Sequence, residues 1–277
     1  MMSQSPNHRS ESSASKAREE RFHNEWANTV DPSEVLVEES WVASTCPEHR
    51  WIRSQLGPLR GKRILDLGCG AGEGAVFFAK MGAHVTAVDL SPHFLDLVRR
   101  VAHLHGTILE TQVGDAENLP FNDDGFDIVY AGNVLHHVEL PAALEEIHRV
   151  LKPGGTFACW DPLRHNPIIN IYRRMARHVR TVDESPLAIG DLREFYVRFS
   201  TVTYQCFWLC TLWLFLRFYL VERAHPSQQR YWKKIIREHQ RLEAGYHRLE
   251  RLDKIILARV PYLRRHCWNI AICAKKK

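Results

Sequence analysis

The sequence lacks several patterns that would assign it to a particular class of protein. Its seven cysteines include no CxxC pair and no Cys/His cluster with zinc-ligand spacing, so we expect no metal site. The N-terminal region has no apolar run of the kind that marks a secretory signal, which leads us to expect a cytoplasmic protein. The apolar segment 207–216 contains no charge, but its ten residues are too few to cross a bilayer as a helix.

The charge of the chain is unevenly distributed. Residues 217–277 hold 16 Lys and Arg against 5 Asp and Glu, a balance of +11, whereas residues 1–216 have a balance of −6. Hydrophobic residues make up 45% of the 277 residues, which is enough to form a substantial core. Residues 1–20 are rich in Ser, Arg and Glu and predict a disordered leader.

Predicted strands and helices alternate along the middle of the chain. Apolar runs predict strands at 63–67, 84–88, 109–113, 126–130 and 156–160, with helices at 74–81, 91–105 and 141–151 and a turn at 152–155. Strands separated by helices at this spacing are typical of parallel βαβ units in an α/β fold. Two further strands are predicted at 200–208 and 266–274, with about 57 residues of helical pattern between them.

The first predicted strand leads directly into a glycine-rich loop. Asp66 is followed by Gly68, Gly70 and Gly72, and a helix then begins, an arrangement that lets a ligand approach the backbone closely. A dinucleotide site would need its third glycine at position 73, where Glu73 would repel a pyrophosphate. An acid at position 66 suits an amino-acid-like cation instead. An NAD-dependent oxidoreductase is therefore only an alternative.

The segment ILDLGCGAG at 64–72 resembles motif I of the class I S-adenosylmethionine-dependent methyltransferases. The resemblance continues in order through Asp89 and segments 114–116, 133–137 and 151–155, and so covers about residues 60–160. GDAENLPF at 114–121 is similar to the menaquinone and ubiquinone methyltransferases in particular. The family implies a Rossmann-like α/β fold with a seven-stranded, mostly parallel sheet and an antiparallel last strand. In this chain, a helical insert at about 209–265 would separate the last two strands.

The resemblance implies S-adenosylmethionine as the cofactor and indicates which residues hold it. Asp89 would accept hydrogen bonds from the two ribose hydroxyls, while Asp115 and the Ala116 amide would recognise the adenine edge and Leu90 would cover an adenine face. The full predicted set is Asp66, Gly68, Cys69, Gly70, Gly72, Asp89, Leu90, Asp115, Ala116 and Asn133. A protein that keeps the fold only as a non-catalytic binding module would not need this set.

Transfer of a methyl group is an in-line displacement, so a general base is needed only when the acceptor must lose a proton. The candidates follow the fourth and fifth strands, and they are His136, His137, Asp161 and His165. Each could instead have a structural role. Around the resulting core at 61–163, we expect an N-terminal helical lid at 21–60 with His23 and Trp26. An acceptor-side lid at 164–198 would include Tyr172 and Arg173, with Arg177, Arg180 and Asp183 nearby.

The segment 199–277, with its aromatic and basic insert, bears on the acceptor and the partners. An aromatic tip beside basic residues suits an anionic membrane surface, which predicts a small-molecule or lipid acceptor and peripheral contact with the inner face of a membrane. The alternative is that the apolar segment packs internally or forms a homodimer interface. RNA methylation ranks lower, and nucleic acid is not an expected partner, because the aromatic residues form a block and are not interleaved with Arg and Lys.

Overall fold

The computed structural model describes residues 6–175, 184–225 and 231–277. Within these ranges one sheet has the strand order β3-β2-β1-β4-β5-β7-β6. Strands β1 to β5 are parallel, and β7 lies antiparallel between β5 and β6, so the predicted fold is confirmed. The strands are β1 (Arg63–Leu67), β2 (His84–Asp89), β3 (Glu110–Val113), β4 (Phe126–Gly132), β5 (Leu151–Pro162), β6 (Thr201–Phe207) and β7 (Asn269–Lys275).

Helices cover both faces of the sheet. Because successive strand residues point to opposite faces, Ile64 belongs to one hydrophobic core and Leu65 to the other. The helices are α1 (Pro6–Ala27), α2 (Val37–Val42), α3 (Pro47–Leu56), α4 (Glu73–Lys80), α5 (Pro92–Leu104), α6 (Leu140–Val150), α7 (Pro167–Met175), α8 (Leu192–Arg198), α9 (Trp213–Leu220), α10 (Tyr231–Arg237) and α11 (His239–Arg259). Ser91 caps α5 as predicted, since its hydroxyl accepts a hydrogen bond from the Phe94 amide.

The segment predicted as a turn at 152–155 lies within β5. The pairing of β4 with β5 shifts between Phe126, which faces Leu151, and Ile128, which faces Thr156. The residues between the two pairs form a bulge, and Gly154 supplies the positive φ of 74° that it contains. The glycines that indicated a turn therefore interrupt a strand without ending it.

The beginning of the chain differs from the predicted leader at 1–20. Residues from Pro6 onward belong to α1, which continues to Ala27. Lys16 of this helix forms ion pairs with Asp115 and Glu117, at 2.6 Å in each case. The polar composition hid this helix because the charged partners of Lys16 lie about 100 residues further along the chain.

The predicted acceptor-side lid at 164–198 divides into two parts. Helix α7 lines the cavity described below, with Ile169 and Tyr172. Helix α8 does not belong to a lid, because its Phe195 is fully buried and stacks on Phe157 of β5, with ring centroids 6.0 Å apart. The predicted residues Arg177, Arg180 and Asp183 lie outside the described residues.

The insert between β6 and β7 contains α9, α10 and α11, as the helical pattern predicted. Its apolar segment is divided between core and surface. Phe215 and Phe218 are buried in the same core as Ile64, whereas Leu220 and Trp213 are 64% and 59% exposed. In the described parts of the chain, no helix is both long enough and apolar enough to cross a bilayer.

Candidate functional site

The glycine loop after β1 forms one wall of a cavity of about 440 Å³ at the carboxyl edge of the sheet. Gly68, Gly70 and Gly72 all have positive φ values, of 64°, 50° and 95°, which favour glycine. A side chain at position 68 would also place its Cβ 2.4 Å from Val134 Cγ2. The loop therefore keeps its backbone open to the cavity. Gly72 itself does not line the cavity and acts as the N-cap residue of α4.

Asp66 lies buried beneath the start of α4 and lines the cavity. Burial raises the pKa of its carboxyl group to about 8. Its Oδ2 atom has no hydrogen-bond partner among the described residues. A buried carboxyl oxygen left without a donor is suited to receive a ligand cation, as the sequence predicted for this position.

Asp89 ends β2 and faces the same cavity. Its Oδ2 accepts a hydrogen bond from the Gly70 amide at 3.0 Å, and its Oδ1 accepts one from the Ser91 amide at 2.9 Å. These two bonds fix the carboxyl group and leave further lone pairs on both oxygens. Burial raises the pKa of Asp89 above its ordinary range. The arrangement can accept hydrogen bonds from two vicinal hydroxyls.

Asp115 lies after β3, further along the cavity, with Ala116 beside it. Its Oδ1 accepts the Glu117 amide at 2.9 Å, and its Oδ2 receives Lys16 from α1. Leu90 and Cys69 also line this part of the cavity. The structure thus brings the residues predicted to bind the nucleoside together, and it adds Lys16 to them.

The loop after β4 contributes Asn133 and two histidines to the cavity wall. Asn133 has a φ of 63°, and its amide donates to the Trp160 carbonyl oxygen at 2.7 Å. The backbone amide and ring Nδ1 of His136 both approach Asp161 Oδ1, at 3.1 Å and 2.7 Å. Asp161 is fully buried, and burial raises its pKa well above the ordinary range. Asp161 therefore fixes the orientation of the His136 ring.

His137 and His23 complete this part of the site. His137 forms an ion pair with Glu19 of α1, and its ring lies 6.0 Å from that of His23. Burial lowers the pKa of His23. Trp26, also on α1, contacts Phe94 with ring centroids 5.4 Å apart. Helix α1 therefore contributes side chains to the wall of the cavity.

His165, the remaining candidate base, is not brought to the site. It does not line the cavity, and its carbonyl oxygen lies 3.0 Å from His266 Nδ1. Pro162 and Ile169, on either side of His165 in the chain, do line the cavity, so the local path of the chain between them excludes His165. Sequence order alone placed His165 and Asp161 together.

Side chains that are distant in sequence form a cluster with metal-ligand character. Ligand atoms of His136, His137 and Glu184 lie within 4.8 Å of one another. The expectation of no metal site rested on the spacing of residues along the chain. Such spacing does not reveal this group, because α6, β5 and α7 lie between the histidines and Glu184. The cluster could hold a metal ion, but no step proposed below depends on one.

The other end of the cavity is lined by residues that the sequence did not indicate. Glu48 and His49 come from α3, Trp208 from the end of β6, and Trp268 and Asn269 from the start of β7. The predicted residues Tyr172 and Arg173 also lie there. No motif marks the unpredicted residues, because they meet only after β6, β7 and the N-terminal helices pack together.

Comparison with known proteins agrees with this geometry. Residues 65–159 match the model of a family described as methyltransferase domain. They include the glycine loop, Asp89, Asp115 and His136. This part of the chain belongs to the class I S-adenosylmethionine-dependent methyltransferase family. Asp66, Asp89 and Asp115 line one cavity. A carboxyl oxygen without a partner among the described residues, a carboxylate held by two amides and a third acid are suited to the amino and hydroxyl groups of that cofactor.

Curated relatives match this part of the chain. The phthiotriol/phenolphthiotriol dimycocerosates methyltransferase of Mycobacterium leprae is 42% identical over 145 residues, covering 49% of this chain and 52% of that protein. The demethylmenaquinone methyltransferase of Clavibacter sepedonicus is 44% identical over 102 residues, covering 36% of this chain and 41% of that protein. The chain thus spans about half the length of the curated relatives it matches.

Solved structures agree with the fold over a longer stretch. YcgJ protein of Bacillus subtilis has a TM-score of 0.52 at 19% identity, covering 84% of this chain and 98% of that one. Phosphoethanolamine N-methyltransferase 2 of Haemonchus contortus, solved with S-adenosyl-L-methionine, has a TM-score of 0.55 at 21% identity, covering 82% and 51%. At these identities the likeness extends to the fold alone.

Proposed function

We propose that the protein transfers a methyl group from S-adenosylmethionine to a small, lipophilic acceptor. One observation carries the proposal: a single cavity joins the three acids Asp66, Asp89 and Asp115 to a chamber lined by Trp160, Trp208 and other aromatic side chains. The acids suit a charged nucleoside, and the aromatic chamber suits an apolar partner. The two ligands would therefore meet inside the protein.

The residues of the chain act mainly by binding, orienting and excluding water. S-adenosylmethionine, when bound, supplies a methyl group already activated on a sulfonium. Asp66 holds the ammonium end and Asp89 the ribose, which fixes the direction from which the acceptor must approach. Helix α1, through Lys16 and Trp26, covers the cavity and keeps water from the reacting atoms.

The His136 and Asp161 pair provides a base for an acceptor that must lose a proton. In this scheme, Asp161 accepts a hydrogen bond from the Nδ1–H of His136, which orients the ring and directs Nε2 to the acceptor. As the acceptor O–H or N–H bond breaks, the proton goes to Nε2. A bond forms between the acceptor atom and the methyl carbon while the sulfur–methyl bond breaks. Asp161 is a positioning residue in this scheme.

The curated relatives support a lipophilic acceptor. Two of them are named for a phthiotriol dimycocerosate and demethylmenaquinone, both of them apolar molecules. The matching residues bind cofactor in the family, so they do not identify the acceptor. An RNA acceptor is less well supported, because Phe215 and Phe218 of the insert are buried and present no stacking surface.

The proposal is tested with methyl-labelled S-adenosylmethionine and a solvent extract of lipids from the producing strain. We expect label to enter the organic phase with the wild-type protein. Asp89→Ala should bind S-adenosylhomocysteine about 10- to 100-fold more weakly, because two hydrogen bonds to a carboxylate are lost. Unchanged calorimetric affinity of Asp89→Ala would refute the cofactor site. Label entering RNA but not lipid would refute the acceptor class.

We also propose that the exposed part of the insert docks on an anionic membrane surface. Trp213, Leu220 and Val221 are more than half exposed, and Arg217 and Arg223 lie beside them in the sequence. Exposed apolar side chains next to basic ones favour the interface of a negatively charged bilayer. Such docking would bring a lipid acceptor within reach of the cavity.

A further inference from the structure

Glu48 is a buried acid at the aromatic end of the cavity, and the methyl-transfer scheme does not use it. It is 5% exposed and lines the cavity. Its Oε1 accepts a hydrogen bond from Asn269 Nδ2 at 2.7 Å, and the side chain of Trp208 donates to the same carboxyl group. Burial raises the pKa of Glu48 to about 7. The donors to this carboxyl group are neutral, and Arg50, whose charge also acts on it, forms its ion pair with Glu250.

His49 lies next to this carboxyl group and holds a second polar atom in the cavity wall. Its ring packs between Trp41, at 4.7 Å, and Trp160, at 5.5 Å between centroids. Burial lowers the pKa of His49 to about 4, so the ring is neutral at physiological pH. Its Nδ1 has no hydrogen-bond partner among the described residues, and the same holds for Asn269 Oδ1.

Unpartnered buried polar atoms are costly and are uncommon in folded proteins. Two of them belong to His49 of α3 and Asn269 of β7, residues that line one cavity beside one carboxyl group. A ligand that both donates and accepts hydrogen bonds would satisfy them. A hydroxyl group has this property, whereas a carboxylate would be repelled by an ionised Glu48.

The walls around this polar group are flat and aromatic. Trp208 and Trp268 meet edge to face, with centroids 5.8 Å apart. Trp160, Tyr172 and Trp232 line the cavity as well. Aromatic faces accommodate a planar ring with little loss of conformational freedom. The chamber is therefore suited to a planar molecule more than to a flexible chain.

We infer that Glu48, His49 and Asn269 form the polar end of the acceptor site and bind a hydroxyl group of a planar aromatic acceptor. The inference rests on the proposed function and makes it more specific, because it names the chemical class of the acceptor. The three residues act in binding. They orient the ring so that its reacting atom meets the methyl group, and they do not take the proton.

The test compares two probes that differ only in the hydroxyl group, 2-naphthol and 2-methoxynaphthalene. Each is titrated by calorimetry into the full-length protein saturated with S-adenosylhomocysteine. We expect 2-naphthol to bind at least 10-fold more tightly, since a satisfied hydrogen bond to a buried charged group contributes about 1.5–3 kcal/mol. Equal binding of the two probes would overturn the inference.

Two variants test whether the preference for 2-naphthol depends on the polar cluster of Glu48, His49 and Asn269. Glu48→Gln keeps the shape and a carbonyl oxygen for Asn269, and His49→Phe keeps a ring between the two tryptophans. We expect the preference to fall below about 3-fold in each variant. Glu145→Gln, on the solvent side of α6, should leave the preference unchanged. A preference that persists in both cavity variants would contradict the assignment.

Binding of S-adenosylhomocysteine separates this inference from the proposed function. The affinity should stay within about 3-fold of wild type in both cavity variants, which also shows that they have folded. If the wild-type protein fails to bind S-adenosylhomocysteine, the proposed function fails. If it binds the cofactor product but does not prefer the naphthol, only the acceptor class is wrong.

Discussion

At the residue scale, the acidic side chains of the site differ in how many hydrogen-bond donors the folded protein supplies to them. Asp89 accepts hydrogen bonds from two backbone amides, and Asp115 accepts one from the Lys16 ammonium group. Asp66 has one oxygen without a donor among the described residues. A carboxyl group in that position costs free energy in the unliganded protein. The cost is expected at a binding site, because a cationic ligand removes it.

Asp66 should therefore make the unliganded protein less stable as the pH rises. Its folded pKa of about 8 exceeds the ordinary value of 3.8, so the folded state retains a proton that the unfolded state loses between these values. The free energy of unfolding then falls as the pH rises from about 4 to about 8. For Asp66→Asn, we expect a gain in melting temperature over wild type that grows to about 2–5 °C at pH 8.5.

Differential scanning fluorimetry from pH 5 to 9 measures this gain. Asp96→Asn, on the exposed side of α5, is the control and should show no such trend. Asp66→Asn should also bind S-adenosylhomocysteine about 10-fold more weakly, because the amino group of this ligand no longer has a carboxyl group as its partner. A gain that is the same at every pH would argue against the raised pKa.

His136 should affect the rate without affecting the affinity for the cofactor. We expect His136→Gln to lower kcat about 10²- to 10⁴-fold with the acceptor found in the lipid extract, because the proton has no base to receive it. Asp161→Asn should lower kcat less, since it only misorients the ring. Calorimetry should give cofactor affinities within about 3-fold of wild type for both variants.

Dialysis against a chelator provides the complementary measurement for the His136 prediction. His136, His137 and Glu184 could hold a metal ion, and loss of activity on dialysis would indicate a metal ligand where we assign a base. Retained activity, together with a slow His136→Gln variant, is the expected result. Full activity of His136→Gln would remove His136 from the mechanism.

At the element scale, the insert has a buried side and an exposed side. Helix α9 packs Phe215 and Phe218 inward, while Trp213, Leu220 and Val221 remain open to solvent. A helix with this division contributes to the core and still offers an apolar surface to a partner. Packing into the core and docking on a membrane surface, which the sequence left open as alternatives for this segment, are therefore compatible.

Membrane docking is tested at the exposed side of α9. We expect Trp213→Ser with Leu220→Ser to reduce flotation with vesicles of phosphatidylglycerol and phosphatidylcholine at least 10-fold, because two apolar side chains no longer enter the interface. Ile108→Ser, which removes a 95% exposed apolar side chain outside the insert, should float like wild type. If wild type floats with neither anionic nor neutral vesicles, the docking proposal is wrong.

At the scale of the whole molecule, the insert is continuous with the main core. Phe218 and Tyr231 belong to the same hydrophobic cluster as Ile64 of β1 and Phe78 of α4. A shared core makes separate unfolding of the insert unfavourable, since it would expose apolar surface on both sides. The insert and the cofactor-binding core should therefore unfold together.

Urea unfolding followed by far-UV circular dichroism and by tryptophan fluorescence should give coincident single transitions. Phe218→Ala should lower the free energy of unfolding by about 3–5 kcal/mol and leave the two transitions coincident, because Phe218 is fully buried against Tyr231. Val221→Ala, at an exposed position, should change stability little. Two separated transitions in the wild-type protein would show that the insert is an independent unit.

Sequence reasoning found the elements whose signals are local. The five parallel strands, the Ser91 cap and the glycine loop were all predicted from short consecutive patterns, and the structure contains them. It failed where the deciding contact is distant. The part of α1 before residue 21 was missed, because its Lys16 finds its acids about 100 residues away. His165 was misplaced because the path of the chain after β5 depends on packing.

By itself, the sequence determined which residues meet at the proposed cofactor end of the site. Asp66, the three glycines and Asp89 lie at the ends of adjacent strands, where backbone conformation and strand order bring them together. Only the tertiary structure decided the acceptor end. Glu48, His49 and Asn269 are up to 221 residues apart, and only the packing of α3 against β7 places them in one cavity. Local backbone preferences cannot encode such a contact, because it forms only when distant apolar faces have already been buried together.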